Sequence, residues 1–175
     1  MTFISCSQVG QDAFVYEKFG NLVGTFLDVG CGHPVVMNNT VALERLGWKG
    51  LLVDSNPAMV ELCRKNRTSP VFEGDATKID WLVLCDRYGL ERKIDYLSLD
   101  IDDQPGQESK ALCVLENLVS AGFQFRVITC EHDFYRLGDG VRKAIREFLQ
   151  QNFYDLSVAD VSDDNLLFED WWTHR

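Results

Sequence analysis

Short apolar runs alternate along the chain with stretches whose apolar residues recur every three or four positions. The runs are Phe26-Leu27 with Val29 inside 24–30, Leu51-Leu52-Val53 inside 50–54, Val71-Phe72 leading into 73–75, Ile94 to Ile101, and Phe125 to Cys130. Runs this short and this apolar suit strands covered on both faces, as in a parallel sheet. Helical spacing predicts helices over 12–19, 39–48, 57–66, 111–119 and 141–149. Asn56 can cap the third, Pro57 suits its first turn, and Gly122 ends the fourth. Near the end, 154–161 and 166–172 alternate apolar and polar residues around Ser162-Asp163-Asp164-Asn165, which predicts a β-hairpin. Strand–helix units followed by a hairpin predict one α/β domain over 1–175. Its sheet would be doubly wound, seven-stranded and mostly parallel, with an antiparallel C-terminal strand.

Composition narrows the function classes. No stretch approaches the roughly 20 apolar residues that cross a bilayer. The opening Met-Thr-Phe-Ile-Ser-Cys has no charged start followed by an apolar run. A cytoplasmic protein without a membrane partner is expected. The formal net charge of -10 would repel a phosphate backbone, so nucleic acid is not an expected partner. The basic cluster Arg64, Lys65 and Arg67 falls at a predicted helix end, where cations offset the helix dipole. Six cysteines are scattered without a Cys-x-x-Cys pair, which argues against zinc and against a disulfide scaffold. Most are expected to be buried, reduced thiols.

Ligands of doubly wound sheets sit beyond the carboxyl ends of the strands. After the first predicted strand the chain reads Asp28-Val29-Gly30-Cys31-Gly32-His33-Pro34. Two glycines let the backbone approach a ligand closely. Asp54 ends the second strand, where a carboxylate can accept from ribose hydroxyls, and Asp75 ends the third, where one can meet an adenine amino group. Capping of the following helices is the structural alternative for both. The fingerprint of nicotinamide-binding loops has a third glycine, and here Val35 takes that place. Asp28, two residues before the first glycine, would oppose a pyrophosphate and suit a cationic ligand such as S-adenosylmethionine.

Taken together, these residues resemble the FkbM-type family of class I S-adenosylmethionine-dependent methyltransferases, whose fold is Rossmann-like. The resemblance runs through Ser7-Gln8-Val9-Gly10-Gln11-Asp12, FLDVGCGHP at 26–34, Asn38-Asn39-Thr40 and Gly47 to Asp54 with Asn56-Pro57. It continues through Leu97 to Asp102, Glu131-His132-Asp133 and Asp163 to Phe168. It implies that Asp28, Gly30, Cys31 and Gly32 hold the methionine part of the cofactor, Asp54 the ribose and Asp75 the adenine side. It also implies that Gln8, Gln11 and Asp12 lie against the cofactor, with Asn39, Ser55, Ala76 and Asp100 completing the set. The acceptors it implies are hydroxyl groups of sugars, polyketides and related metabolites, so a small molecule or a glycan. One departure stands out. The family's fourth strand continues with Glu-Gly after its acidic residue, whereas this chain reads Asp100-Ile101-Asp102-Asp103-Gln104.

Methyl transfer to a hydroxyl needs a base or a metal near the methyl group. Asp100 or His132 could take the proton, His having a pKa near neutral. Alternatively, Asp100 and Glu131 could hold Mg²⁺, as hard oxygen ligands would. A third reading has these side chains merely satisfying loop amides. Tyr135 and Arg136 could meet the acceptor. A chain this short leaves little for a lid, so either the acceptor site is open or a second copy covers it in a homodimer. Two further functions stay open: a non-catalytic cofactor-binding subunit with an altered 100–104 loop, and a nicotinamide-dependent oxidoreductase.

Overall fold

The computed structural model describes residues 3–175. Its seven strands are β1 (Thr25–Val29), β2 (Lys49–Asp54), β3 (Val71–Glu73), β4 (Lys93–Leu99), β5 (Gln124–Glu131), β6 (Tyr154–Asp163) and β7 (Leu166–His174). They form one sheet in the order β3-β2-β1-β4-β5-β7-β6. Neighbours are parallel from β3 to β5, and β7 runs antiparallel to both β5 and β6. All seven predicted strands are present, and the antiparallel strand is the C-terminal one.

Alternation along the strands sends side chains to two opposite cores. Leu27, Val29, Leu51, Val53, Leu97, Leu99 and Trp172 pack on one face. There they meet α4 (Trp81–Tyr88), α5 (Lys110–Ser120) and α7 (Asp139–Gln151). Phe26, Leu52, Tyr96 and Trp171 pack on the other, against α1 (Gln11–Phe19), α2 (Val41–Arg45) and α3 (Pro57–Asn66). The remaining helix, α6, is the short turn Phe134–Leu137. Among the described residues no helix is long and apolar enough to cross a membrane.

Three local differences from the sequence reading have physical causes. Helix α4 is absent from it, although Asp80 caps the helix at Val83 N, Trp81, Leu84 and Cys85 form its buried stripe, and Gly89 ends it at φ +71°. Helix α2 is shorter than 39–48, because Asn38 and Thr40 are drawn into a side-chain network and Gly47 stops the turn at φ +98°. Arg67 is no surface cap. Its side chain is fully buried and reaches Glu44, Asn38 and Thr40, whereas Arg64 and Lys65 pair at the surface with Glu73 and Glu61.

Candidate functional site

Strand order reverses between β1 and β4, so the loops that follow them part and leave a crevice. A cleft of about 700 Å³ opens there, well within the range of small-molecule sites. Gly30, Gly32, Asp54, Ser55, Asp75, Ala76 and Asp100 border it, which brings seven of the predicted residues together. A smaller hollow of about 450 Å³ lies at the amino ends of β4 and β5, beside Lys93 and Gln124, and none of the predicted residues borders it.

The glycine loop is fixed from both sides. The amides of Gly30 and Cys31 donate to Val53 O at 2.9 and 3.2 Å, and Asp100 N donates to Val29 O at 2.9 Å. Gly30 adopts φ +80°, and a Cβ on it would lie 1.7 Å from Asp100 O, so no side chain fits. Gly32 N donates to Asp54 Oδ2 at 2.8 Å, while Asn56 N donates to Asp54 Oδ1 at 2.8 Å. Oδ2 also accepts weakly from the Cys31 thiol at 3.9 Å, while Oδ1 keeps a second lone pair for a ligand hydroxyl. Asp75 caps the 3₁₀ turn Ala76–Lys78 and, held by the Thr77 hydroxyl and by Lys78, has its pKa lowered to about 2. It therefore serves as the cap and still borders the cleft.

Other predicted residues support the loop from behind. Asp28 is buried and does not border the cleft: Thr40 Oγ1 donates to its Oδ2 at 2.6 Å, and Arg67 Nη2 donates to Thr40 Oγ1 at 2.9 Å. Burial raises the Asp28 pKa to about 6, against the pull of Thr40 and Arg67. Cys31 meets Cys63 at 3.8 Å, sulfur to sulfur. Asn39 Nδ2 donates to Ser98 Oγ at 3.1 Å, and its buried Oδ1 has no protein partner. The Gln8–Asp12 stretch also lies off the cleft. Asp12 accepts from Cys6 N at 2.7 Å, Gln8 donates to Asp163 at 2.8 Å, and Gln11 Nε2 donates to Glu169 at 2.7 Å.

The acidic ends of β4 and β5 separate into two environments. Asp100 opens on the cleft, and the register of β4 and β5 places Glu131 beside it at the neighbouring strand end. Desolvation and then Asp100 raise the Glu131 pKa, while desolvation raises that of Asp100 against an opposing pull from Glu131, with Asp102 and Asp133 adding to the rise. Adjacent carboxyls resist ionising together, which favours a shared proton between them. Glu169, which the sequence reading missed, is buried on the same face of the sheet, with its pKa raised to about 8 by burial and by Asp100. Its signal was a carboxylate inside the inward-facing alternation of a strand.

His132 does not join them. Its side chain is fully buried, its Nδ1 accepts from Phe134 N at 3.2 Å, and its Nε2 faces Asp170 Oδ1 at 3.5 Å. Nδ1 as acceptor places the proton on Nε2, toward Asp170. Arg146 forks onto Asp170 at 2.7 and 2.8 Å, and Arg142 reaches Asp160 at 2.5 Å. His132 thus lies buried away from the cleft, with Nδ1 engaged by Phe134 N and Nε2 without a hydrogen-bond partner, 3.5 Å from Asp170. Asp133 and Asp102 hold Arg136, which ties the loops after β4 and β5 together. Among the described residues the only group of three or more His, Cys, Asp and Glu placed to share a cation is His132, Asp160 and Asp170, and there the two arginines already balance the charge. Asp100 and Glu131 belong to no such group of three. The cleft also contains Gln104, from the divergent 100–104 loop, and Met59 and Lys110, for which no sequence signal stood out.

No model of a known protein family matches the chain, and no curated protein matches it. Solved structures do. An O-methyltransferase from Bacillus cereus in complex with S-adenosylhomocysteine matches with TM-score 0.69 and 14% identity over 96% of this chain and 81% of that one. Magnesium protoporphyrin IX methyltransferase from Synechocystis PCC 6803, with bound S-adenosylmethionine, matches with TM-score 0.65 and 15% identity over 94% and 76%. A proposed rRNA-methylase from Clostridium thermocellum matches with TM-score 0.64 and 15% identity over 99% and 97%. With its strand order and reversed last strand, the chain has the Rossmann-like fold of the S-adenosylmethionine-dependent methyltransferases.

Proposed function

We propose that this chain is an S-adenosylmethionine-dependent methyltransferase that methylates a hydroxyl group of a small molecule or glycan, in the manner of the FkbM-type enzymes it resembles. The observation that carries this reading is the placement of Gly30, Gly32, Asp54, Asp75 and Asp100 around one cleft at the switch point of the sheet. A dinucleotide fits less well. Its pyrophosphate needs a helix that starts at the glycine loop, and here the next helix begins at Val41, nine residues after Gly32.

Gly30 and Gly32 leave room for a ligand against the backbone, and the free lone pair of Asp54 Oδ1 accepts a ribose hydroxyl. Asp75, Ala76 and Met59 would flank the base. S-adenosylmethionine, when bound, supplies an electrophilic methyl on a sulfonium. The acceptor hydroxyl then needs a proton acceptor beside the cleft, and the ionised member of the Asp100–Glu131 pair provides it. A carboxyl with a raised pKa is a stronger base than an ordinary one, and this matching assists the transfer. Arg136, held by Asp102 and Asp133, positions the two loops that carry that pair.

The test is transfer of a labelled methyl group from the cofactor to a panel of sugar, polyketide, peptide and lipid acceptors. Label on a hydroxyl oxygen supports the reading. Cofactor binding with no transfer to any acceptor contradicts it and favours a non-catalytic subunit.

A further inference from the structure

Two of the six cysteines, apart in sequence, are brought together by the fold. Cys31 lies between Gly30 and Gly32 in the loop at the cleft, and Cys63 lies on α3. Their sulfurs are 3.8 Å apart and both residues are buried, Cys63 completely and Cys31 with 5% exposure. Cys63 Sγ also donates to Gly32 O at 3.4 Å. Among the described residues no other pair of cysteine sulfurs is in contact.

We propose that Cys31 and Cys63 are a modification site, joined in a disulfide by a hydroperoxide, and that this bond weakens cofactor binding; the second part rests on the function proposed above. A disulfide requires a separation of about 2.05 Å, so the sulfurs must approach by nearly half their present distance. Gly30 and Gly32 hold positive φ values of +80° and +55°, and Gly32 is bonded to Asp54 through its amide. Pulling Cys31 toward α3 therefore disturbs the Gly32–Asp54 bond and the contact of Gly30 with Asp100. The chemistry balances. One thiolate attacks the peroxide, the O–O bond breaks, and a sulfenic acid forms with release of an alcohol or water. The second sulfur then attacks the sulfenic sulfur, the S–O bond breaks, and the departing hydroxide takes the remaining thiol proton as water. Two electrons pass from the sulfurs to the peroxide. The bond from Cys31 and the nearby Arg67 charge hold the Cys63 thiol below its ordinary pKa against the effect of burial, which favours a thiolate in the pair. Neither cysteine lines the cleft itself, so a small peroxide reaches them only as the Gly30–Gly32 loop opens, which a bound cofactor would restrain.

The experiment treats the reduced protein with hydrogen peroxide, with and without S-adenosylhomocysteine. Peptides are mapped by mass spectrometry without reduction, and each form is titrated calorimetrically with S-adenosylhomocysteine. The expected result is a Cys31–Cys63 linked peptide, suppressed by ligand. Affinity should fall about tenfold to a hundredfold, as a misplacement near 1 Å can cause, and dithiothreitol should restore it. Cys63→Ser should bind the ligand and show no peroxide effect, and Cys63→Ala provides the same control without a hydroxyl. Absence of the linked peptide, or a linked protein with unchanged affinity, overturns the proposal. If the reduced protein binds no S-adenosylhomocysteine, the cofactor reading fails and the weakening of binding with it, while the peptide map still decides the disulfide.

Discussion

Thr40 donates its hydroxyl proton to the buried carboxylate of Asp28 at 2.6 Å and accepts from Arg67 at 2.9 Å. This relay lies directly beneath the glycine loop and keeps a charge pair in an apolar interior. Thr40→Val preserves the shape but leaves both charged groups without that partner. A buried group stranded in this way costs about 1–3 kcal/mol, more when charged. The urea midpoint should shift down by a corresponding amount, and a midpoint equal to the parent's would show that the relay contributes nothing.

Gly30→Ala should be far more damaging than Gly32→Ala. The first places a methyl 1.7 Å from Asp100 O, and the second meets only Gly30 O at 3.9 Å. Gly32→Ala pays only for its left-handed backbone, roughly 1–2 kcal/mol. Gly30→Ala must separate the loops after β1 and β4, and loss of S-adenosylhomocysteine binding is expected by calorimetry. Equal affinities for the two variants would remove the loop from the site.

Stability should decline as pH rises from about 4 to about 8. Asp28 and Glu169 have folded pKa values raised to about 6 and about 8, from ordinary values of 3.8 and 4.5. The folded state therefore binds more protons than the unfolded chain between those limits. The stability contributed by the protonated carboxyls is complete below the unfolded values and is lost as pH climbs through the folded ones. Glu169 alone contributes a slope of up to roughly 1.4 kcal/mol per pH unit in its window. Asp170 acts oppositely: Arg146 and His132 hold it below its ordinary range in spite of burial, so its contribution is lost only in strong acid. In thermal melts, Glu169→Gln should flatten the alkaline decline. An unchanged pH profile would mean that Glu169 does not titrate there.

Glu131→Gln and His132→Asn separate chemistry from structure. Glu131→Gln disables the carboxyl pair and should lower kcat by about 10²–10⁴, with cofactor affinity nearly intact. His132→Asn breaks the contact toward Asp170 and should lower the melting temperature while kcat remains near that of the parent. A catalytic collapse in His132→Asn without loss of stability would make the histidine the base.

The sheet was legible because its signal is local and repeated. Apolar runs at β1, β2, β4 and β5 and the alternation at β6 and β7 survive any tertiary arrangement. The hairpin turn carries Asp164 and Asn165 at φ +47° and +66°, and Asn and Asp are the residues that tolerate such values. The acidic strand ends at Asp54, Asp75 and Asp100 were legible for the same reason, since topology alone carries them to the cleft. Orientation was not. Asp28 and His132 were read as facing the site, and both turn into buried networks whose partners, Arg67 with Thr40 and Asp170 with Arg146, lie far off in sequence. The Cys31–Cys63 contact was hidden in the same way, because the two residues belong to separate elements. Helix α4 was overlooked although its cap, stripe and terminal glycine are all present, since only Trp81, Leu84 and Cys85 mark its buried face.

The central claim is that the cleft at Gly30 and Asp54 holds S-adenosylmethionine. Calorimetric titration of the reduced protein with S-adenosylhomocysteine and with NAD tests it most directly, with Asp54→Ala alongside. The account predicts saturable binding of S-adenosylhomocysteine at one site, a large loss of affinity in Asp54→Ala and no heat from NAD. Binding of NAD without S-adenosylhomocysteine would contradict it.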